Sequence, residues 1–387
     1  MLALVAAPVL VGAATPDYAG DAAALDRIIV ENYAYPERLG PDGRVPDSPQ
    51  LAAQRAAVHD SDSLLRYAEN RIASLADHHA ITGSAFDDSW ALVPSYADLW
   101  IVERDGAYRV DAVRPDTPAA RAGVVAGDRL VAVDDVPIDR AIAAFWQSVG
   151  VARGGAEARS YAARVLAAGR RDRPRRLTFA GRGGTRELTL ATLYADAPPR
   201  PPLRVITDAD GGVTIRINNA LGDQATIAAF DRAVAAIPAS ARLTIDLTDT
   251  PGGGNTSVAR AMIGWFVTAP TGYQVHRYPA EERETGIPRQ WIEQVLPRAG
   301  KSRPKPVAIR VGRWTGSMGE GIAIAFAAIG VPVCGDRMAG LLGAVYDFAL
   351  PASGLVFKLP AERLYAIDGR PREDFVPIPT PSCPARG

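Results

Sequence analysis

Apolar and polar positions divide the 387-residue chain into three regimes. From Ala22 to about Ala76 the pattern is helical, broken by the Pro- and Gly-rich stretch Tyr35–Pro49. Leu64, Leu65, Tyr67, Ala68, Ile72 and Leu75 recur at roughly helical spacing and bury one face. From about Tyr96 to Leu193 the character changes to short β-like runs, with a longer helical stretch over Asp139–Arg173. Arg175–Ala180 and Thr185–Leu190, joined by Gly181-Arg182-Gly183-Gly184, predict a hairpin. Ala195–Pro202 is a stiff, Pro-rich linker. Beyond it strands (Val213–Ile217, Arg242–Leu247, Pro306–Val311, Val331–Cys334) alternate with helices (Gln224–Ile237, Asn255–Phe266, Gly319–Ile329). That alternation predicts a layered α/β domain with a largely parallel sheet.

The stretch Arg313-Trp314-Thr315-Gly316-Ser317-Met318-Gly319-Glu320-Gly321 sits between a buried strand and an apolar helix. Ser317 therefore occupies a strand-to-helix turn, beside unpaired N–H groups and the positive end of a helix dipole, where an oxyanion can be held. The same residues also spell a capping box, Ser317-x-x-Glu320. Glycine is a poor choice for a helical first turn, so Gly316, Gly319 and Gly321 suit a backbone that a substrate must approach closely. Ser317 is thus both a helix cap and a nucleophile candidate.

Composition narrows the classes. At 387 residues, with 48% hydrophobic and 22% charged content, the chain suits two or three ordinary globular domains. Lys+Arg and Asp+Glu balance at 43 each, so no overall field favours nucleic acid or an anionic membrane. Lysine occurs only at Lys301, Lys305 and Lys358. Cys334 and Cys383 are too few for a disulfide framework and lack zinc-ligand spacing; a single bridge and two free thiols both fit. Residues 1–14, apolar and then small, resemble a secretory signal with cleavage after Ala14, too short to span a bilayer. Export to the periplasm or the extracellular space is the expectation.

Two of the four histidines stand side by side in Asp77-His78-His79. They suit a helix C-terminus. Their side chains diverge, so at most one serves chemistry, and no further His or Cys cluster completes a metal site. His78 is expected to face solvent.

Arg114-Pro115-Asp116-Thr117-Pro118-Ala119-Ala120-Arg121-Ala122-Gly123 through Gly127-Asp128 and the strand after it resembles a PDZ domain. One departure is that Tyr96-Ala97-Asp98-Leu99-Trp100 stands where such domains hold a peptide carboxylate in a Gly-rich loop. Four further motifs in order, Asp249-Thr250-Pro251-Gly252-Gly253-Gly254, Trp314–Glu320, Gly335–Gly340 and Asp368–Pro377, resemble the S41 family of serine peptidases, which contains the tail-specific (C-terminal processing) proteases and the tricorn core protease. The resemblance covers nearly the whole chain past Asp21.

It implies a crotonase-like α/β core with a helical N-terminal region and an inserted PDZ-like domain. The boundaries it suggests are a signal-like segment over 1–14, a helical region over 15–94, a PDZ-like domain over 95–195 and a peptidase core over 203–387. Tail-specific members pair serine with a lysine, but the matching positions here are Leu341 and Leu342, which accept no proton. The tricorn-like pattern places the base at His79 and a late glutamate at Glu373. On that pattern His79 takes the Ser317 proton, Glu373 fixes the His79 tautomer, and the N–H of Met318 with that of Gly252 or Gly253 holds the oxyanion. No cofactor and no metal is implied, and the expected partner is a peptide or protein substrate. A non-catalytic binding protein on the same fold and an esterase or amidase acting on small acyl substrates are the rival readings.

Overall fold

The computed structural model describes residues 15–40, 42–193, 200–209, 211–306 and 308–382. The signal-like segment, linker residues 195–199 and Cys383 lie outside the described residues. Helix α1 (Tyr18–Asn32) starts on Asp17, whose carboxylate accepts from the Gly20 N–H. Helices α2 (Pro49–Ala56) and α3 (Ser61–Ala73) follow, α3 opening on a capping box at Asp60. Leu64, Tyr67, Ala68 and Ile72 of α3 are buried, as their helical spacing requires. A two-residue strand β1 (Ile81–Thr82) closes this part.

The middle module contains β2 (Leu99–Arg104), β3 (Ala107–Val113), α4 (Pro118–Arg121), β4 (Arg129–Val133), β5 (Val136–Pro137), α5 (Ile138–Val149), α6 (Gly155–Ala168), β6 (Arg175–Gly181) and β7 (Gly184–Leu190). Its sheet runs β2-β3-β4-β6-β7, with β5 beside β4. The expected hairpin is β6–β7, paired from Arg175–Leu190 to Gly181–Gly184. Helix α6 covers the otherwise free edge of β2. There Ser160 Oγ accepts the outward N–H of Glu103 at 2.9 Å, and Arg159 pairs with the Glu103 carboxylate at 3.1 Å. In place of a glycine loop ahead of β2, the buried Asp98 carboxylate grips Arg175 through two hydrogen bonds of 2.7 and 2.9 Å.

A peptide that adds as an extra strand needs an open sheet edge, and α6 occupies this one. Full-length protein carrying Ser317→Ala is therefore expected to bind free C-terminal peptides no more than about tenfold more tightly than their amidated forms, a difference of about 1.4 kcal/mol. Calorimetric titration checks this; a strong preference for the free carboxylate would show that α6 moves aside.

The last part contains β8 (Leu203–Thr207), β9 (Val213–Ile217), α7 (Ala225–Ala236), β10 (Leu243–Asp246), α8 (Thr256–Ile263), β11 (Thr271–Arg277), α9 (Pro279–Thr285), β12 (Gln290–Val295), β13 (Ala308–Val311), α10 (Met318–Ala328), β14 (Val333–Gly335), β15 (Ala344–Ala349) and β16 (Val356–Ala366). One sheet runs β14-β13-β10-β9-β8, parallel except for the β8 edge. This is the alternating α/β layer that the pattern predicts. A second, antiparallel sheet runs β1-β16-β11-β12, with β15 on β16.

Two apolar clusters organise the interior. The first joins α1, α3 and the middle module with Phe357 and Leu359 of β16, so the N-terminal helices and the module share one core. The second fills the space between the parallel sheet and its helices, with Ile215, Ile245, Ile309, Ile322 and Phe326 at its centre. Among the described residues no helix is long and apolar enough to cross a membrane.

Candidate active site

The turn that carries Ser317 lies on the seam between the two clusters. Trp314 belongs to the first and Met318 to the second. The Trp314 indole N–H donates to the Ala97 carbonyl at 2.7 Å, which ties the turn to the start of the middle module. The turn is also fastened to the loop after β10, where Thr250 and Thr315 form a parallel bridge. That loop comes very close. A Cβ on Gly253 would stand 2.5 Å from the Ser317 Cβ, and its φ of +64° already favours glycine. Ser317 itself adopts φ 50° and ψ −113°. A β-carbon-bearing residue reaches such angles only when its surroundings impose them, and residues held this way cluster at functional sites.

His79 arrives from the turn after α3. Its backbone N–H donates to Asp77 Oδ1 at 2.8 Å, and Asp77 Oδ2 accepts from the Tyr33 hydroxyl at 2.8 Å. The imidazole Nε2 lies 3.0 Å from Ser317 Oγ, and Nδ1 lies 2.7 Å from the Leu342 carbonyl oxygen. A carbonyl only accepts, so Nδ1 carries the proton and Nε2 presents its lone pair to the serine hydroxyl. Burial, reinforced by the nearby Arg372 cation, lowers the His79 pKa to about 4. The ring is therefore neutral at neutral pH and able to accept a proton.

Two expectations are corrected. Glu373 receives none of the described hydrogen bonds of His79. It sits in the short turn Arg372–Asp374, where Oε1 accepts from the Tyr35 hydroxyl at 3.0 Å. That turn points Arg372, and not Glu373, at the backbone beside His79, and the Leu342 carbonyl takes the place expected for the glutamate. His78 is half-buried, not turned out to solvent. Its ring stacks on Tyr161 of α6 at a centroid distance of 4.3 Å, because the turn is covered by the middle module. Burial drives the His78 pKa well below its ordinary value.

Of the expected oxyanion donors, Gly253 packs directly against Ser317 and the Met318 nitrogen, whereas Gly252 packs against Asn219. Met318 is the first residue of α10, and a first-turn N–H has no acceptor within its own helix. The N–H of Gly252 donates to Asn219 Oδ1 at 2.7 Å, and that of Gly253 to the Thr250 carbonyl at a longer 3.2 Å. Glu320 holds the Ser317 N–H through Oε2 at 2.9 Å, so the capping residue and the nucleophile candidate are one and the same serine.

Against known proteins, a PDZ domain profile matches residues 109–145. No curated protein matches the sequence. Among solved structures, mature CPAF complexed with lactacystin superposes with a TM-score of 0.57 at 15% identity, covering 94% of this chain and 93% of that one. The photosystem II D1 C-terminal processing protease gives 0.56 at 16% identity, covering 94% and 93%. The chain has the fold of these proteases.

The three lysines all have partners of their own. Lys301 pairs with Asp231 at 3.2 Å, Lys305 donates to the Ile329 carbonyl at 2.5 Å, and Lys358 pairs with Asp347. Leu341 and Leu342 have buried side chains. Replacing all three lysines with arginine is expected to keep kcat/KM within about tenfold, or about 1.4 kcal/mol; a complete loss would require a lysine base.

Proposed function

We propose that the protein is a serine peptidase in which Ser317 attacks the scissile carbonyl and His79 acts as general base. The observation that carries this reading is the 3.0 Å contact between Ser317 Oγ and His79 Nε2, on a serine whose backbone is strained at the head of a buried helix. A serine hydroxyl is a weak nucleophile until a base takes its proton. His79 takes that proton at Nε2 and then gives it to the leaving amine. The imidazolium formed between the two steps keeps its Nδ1 proton, held by the Leu342 carbonyl. The Met318 N–H is the first oxyanion donor, and the Gly253 N–H, whose present bond is the longer one, is the second. Glu373 belongs to the outer part of the site, through Tyr35.

The substrate is a peptide or protein. The protein is also proposed to be exported: Cys334 is disulfide-bonded, which suits an oxidising compartment. The test is to incubate the purified protein with an unfolded protein substrate and map new amino termini by mass spectrometry. Termini that appear with time and stop on fluorophosphonate treatment are expected. Substrate left intact by folded protein would remove the peptidase reading.

A further inference from the structure

Four backbone groups around the Leu342 carbonyl, the N–H of Gly340 and of Leu341 and the carbonyls of Leu341 and Gly343, are held by two buried charged side chains. Glu320 of α10 accepts from the Gly340 N–H at 2.8 Å through Oε1 and from the Leu341 N–H at 3.2 Å through Oε2. The same Oε2 accepts from the Ser317 N–H at 2.9 Å. From the opposite side, Arg372 Nη2 donates to the Leu341 and Gly343 carbonyls at 2.8 Å each. The carbonyl between them, that of Leu342, is left for His79. Glu320 and Arg372 have relative exposures of 0% and 1% and lie 3.9 Å apart.

We propose that Glu320 and Arg372 are positioning residues that together clamp the 340–343 backbone, so that a neutral carbonyl orients His79 as a carboxylate does in a Ser-His-Asp triad. The proposal rests on the reading of Ser317 and His79 as nucleophile and base. One carboxylate thereby sets both partners. It fixes the Ser317 backbone on one side and, through the N–H of Leu341, the chain one residue before the carbonyl that holds the His79 tautomer on the other.

The charge arrangement is consistent with this. A buried carboxylate accepting three N–H groups next to a guanidinium is fully employed, whereas a helix cap needs only one of those bonds. Burial raises the Glu320 pKa to about 7, while Arg372 and the three N–H groups oppose that rise. Arg372 likewise adds to the burial that keeps His79 neutral. The other ionisable groups joined to this network are Asp77 and Tyr33 behind His79, and Tyr35 and Glu373 beside Arg372.

Two measurements on Glu320→Gln, Arg372→Met and Arg372→Lys test the clamp. Glutamine keeps the shape of Glu320 but has a single acceptor oxygen, so at least one of the three N–H groups loses its partner. The first measurement is the rate constant for phosphonylation of Ser317 by a fluorophosphonate across pH, separated from probe binding. The second is the imidazole ¹⁵N spectrum of histidine-labelled protein, with the His79 signals assigned by their loss in His79→Gln.

In the unaltered protein His79 is expected to show the single Nδ1–H tautomer. In Glu320→Gln and Arg372→Met the rate constant is expected to fall at least tenfold with probe binding unchanged, and the ¹⁵N shifts to report a mixture of tautomers. Arg372→Met should also move the acid limb of the rate upward from about pH 4, and Arg372→Lys, which keeps a cation, should reverse much of that movement. Variants that keep the single tautomer and the normal acid limb, and lose rate only in proportion to unfolded protein, overturn the proposal. If the unaltered protein fails to label at Ser317, the peptidase reading fails, while the ¹⁵N spectra still decide whether the clamp sets the His79 tautomer.

Discussion

Ser317→Ala is expected to abolish turnover while leaving the fold intact. Beyond its capping place at the head of α10, the hydroxyl's described bond across the chain is to His79 Nε2, so its removal deletes the nucleophile at the cost of a helix cap, about 1 kcal/mol. The Ser317 N–H bond to Glu320 belongs to the backbone and survives the substitution. Alanine must still adopt φ 50°, so a modest loss of stability is allowed. Activity should fall to the level that the oxyanion donors and binding provide alone, with an unchanged circular dichroism spectrum. Residual turnover near that of the unaltered protein would place the nucleophile elsewhere.

The second large effect concerns His79 and pH. General base catalysis contributes typically about 10²–10⁴-fold, and His79→Ala should lose at least that much. The acid limb is the sharper mark. A free imidazole titrates near pH 6.5, but burial and Arg372 hold His79 down to about 4. The His79 limb of acylation should therefore lie near pH 4, below a separate step near pH 7 where Glu320 takes up a proton, and the residual rate of His79→Ala should show no limb near pH 4. His78→Ala, which removes a ring stacked on Tyr161, should lower stability with the acid limb in place.

The same shifts bear on folding. The folded pKa of His79 lies below its unfolded value, so its contribution to stability is present above about pH 6.5 and is lost as pH falls toward 4. Glu320 has the opposite sign. Its folded pKa of about 7 lies above the unfolded value, so its contribution is present at low pH and is lost as pH rises through 7.

The parallel sheet was legible because β9, β10 and β13 are short apolar runs between helices of 3.6-residue period. The second sheet was not. On β11 the inward positions include Gln274 and His276, both buried; His276 bonds to Glu362 on β16, so polar residues mask the period-two pattern. The nucleophile turn was legible from Gly316, Ser317 and Gly319, since close approach demands small residues there. A Cβ at Gly319 would meet Thr250 Oγ1 at 2.6 Å. His79 and Glu373 entered through family resemblance, and only His79 stands against Ser317. The Leu342 carbonyl left no trace, because every residue has a carbonyl and only the folded backbone says where it points. The signs that were present are the buried charges that aim it, Glu320 and Arg372, and the first of these read simply as a helix cap.

The central claim, that Ser317 is a nucleophile activated by His79, is tested most directly by fluorophosphonate labelling followed by peptide mapping of the adduct. Stoichiometric modification of Ser317, absent in Ser317→Ala and slowed at least about 10²-fold in His79→Ala, is the predicted result. An adduct on another residue, or labelling of Ser317 that proceeds at full rate without His79, would contradict it.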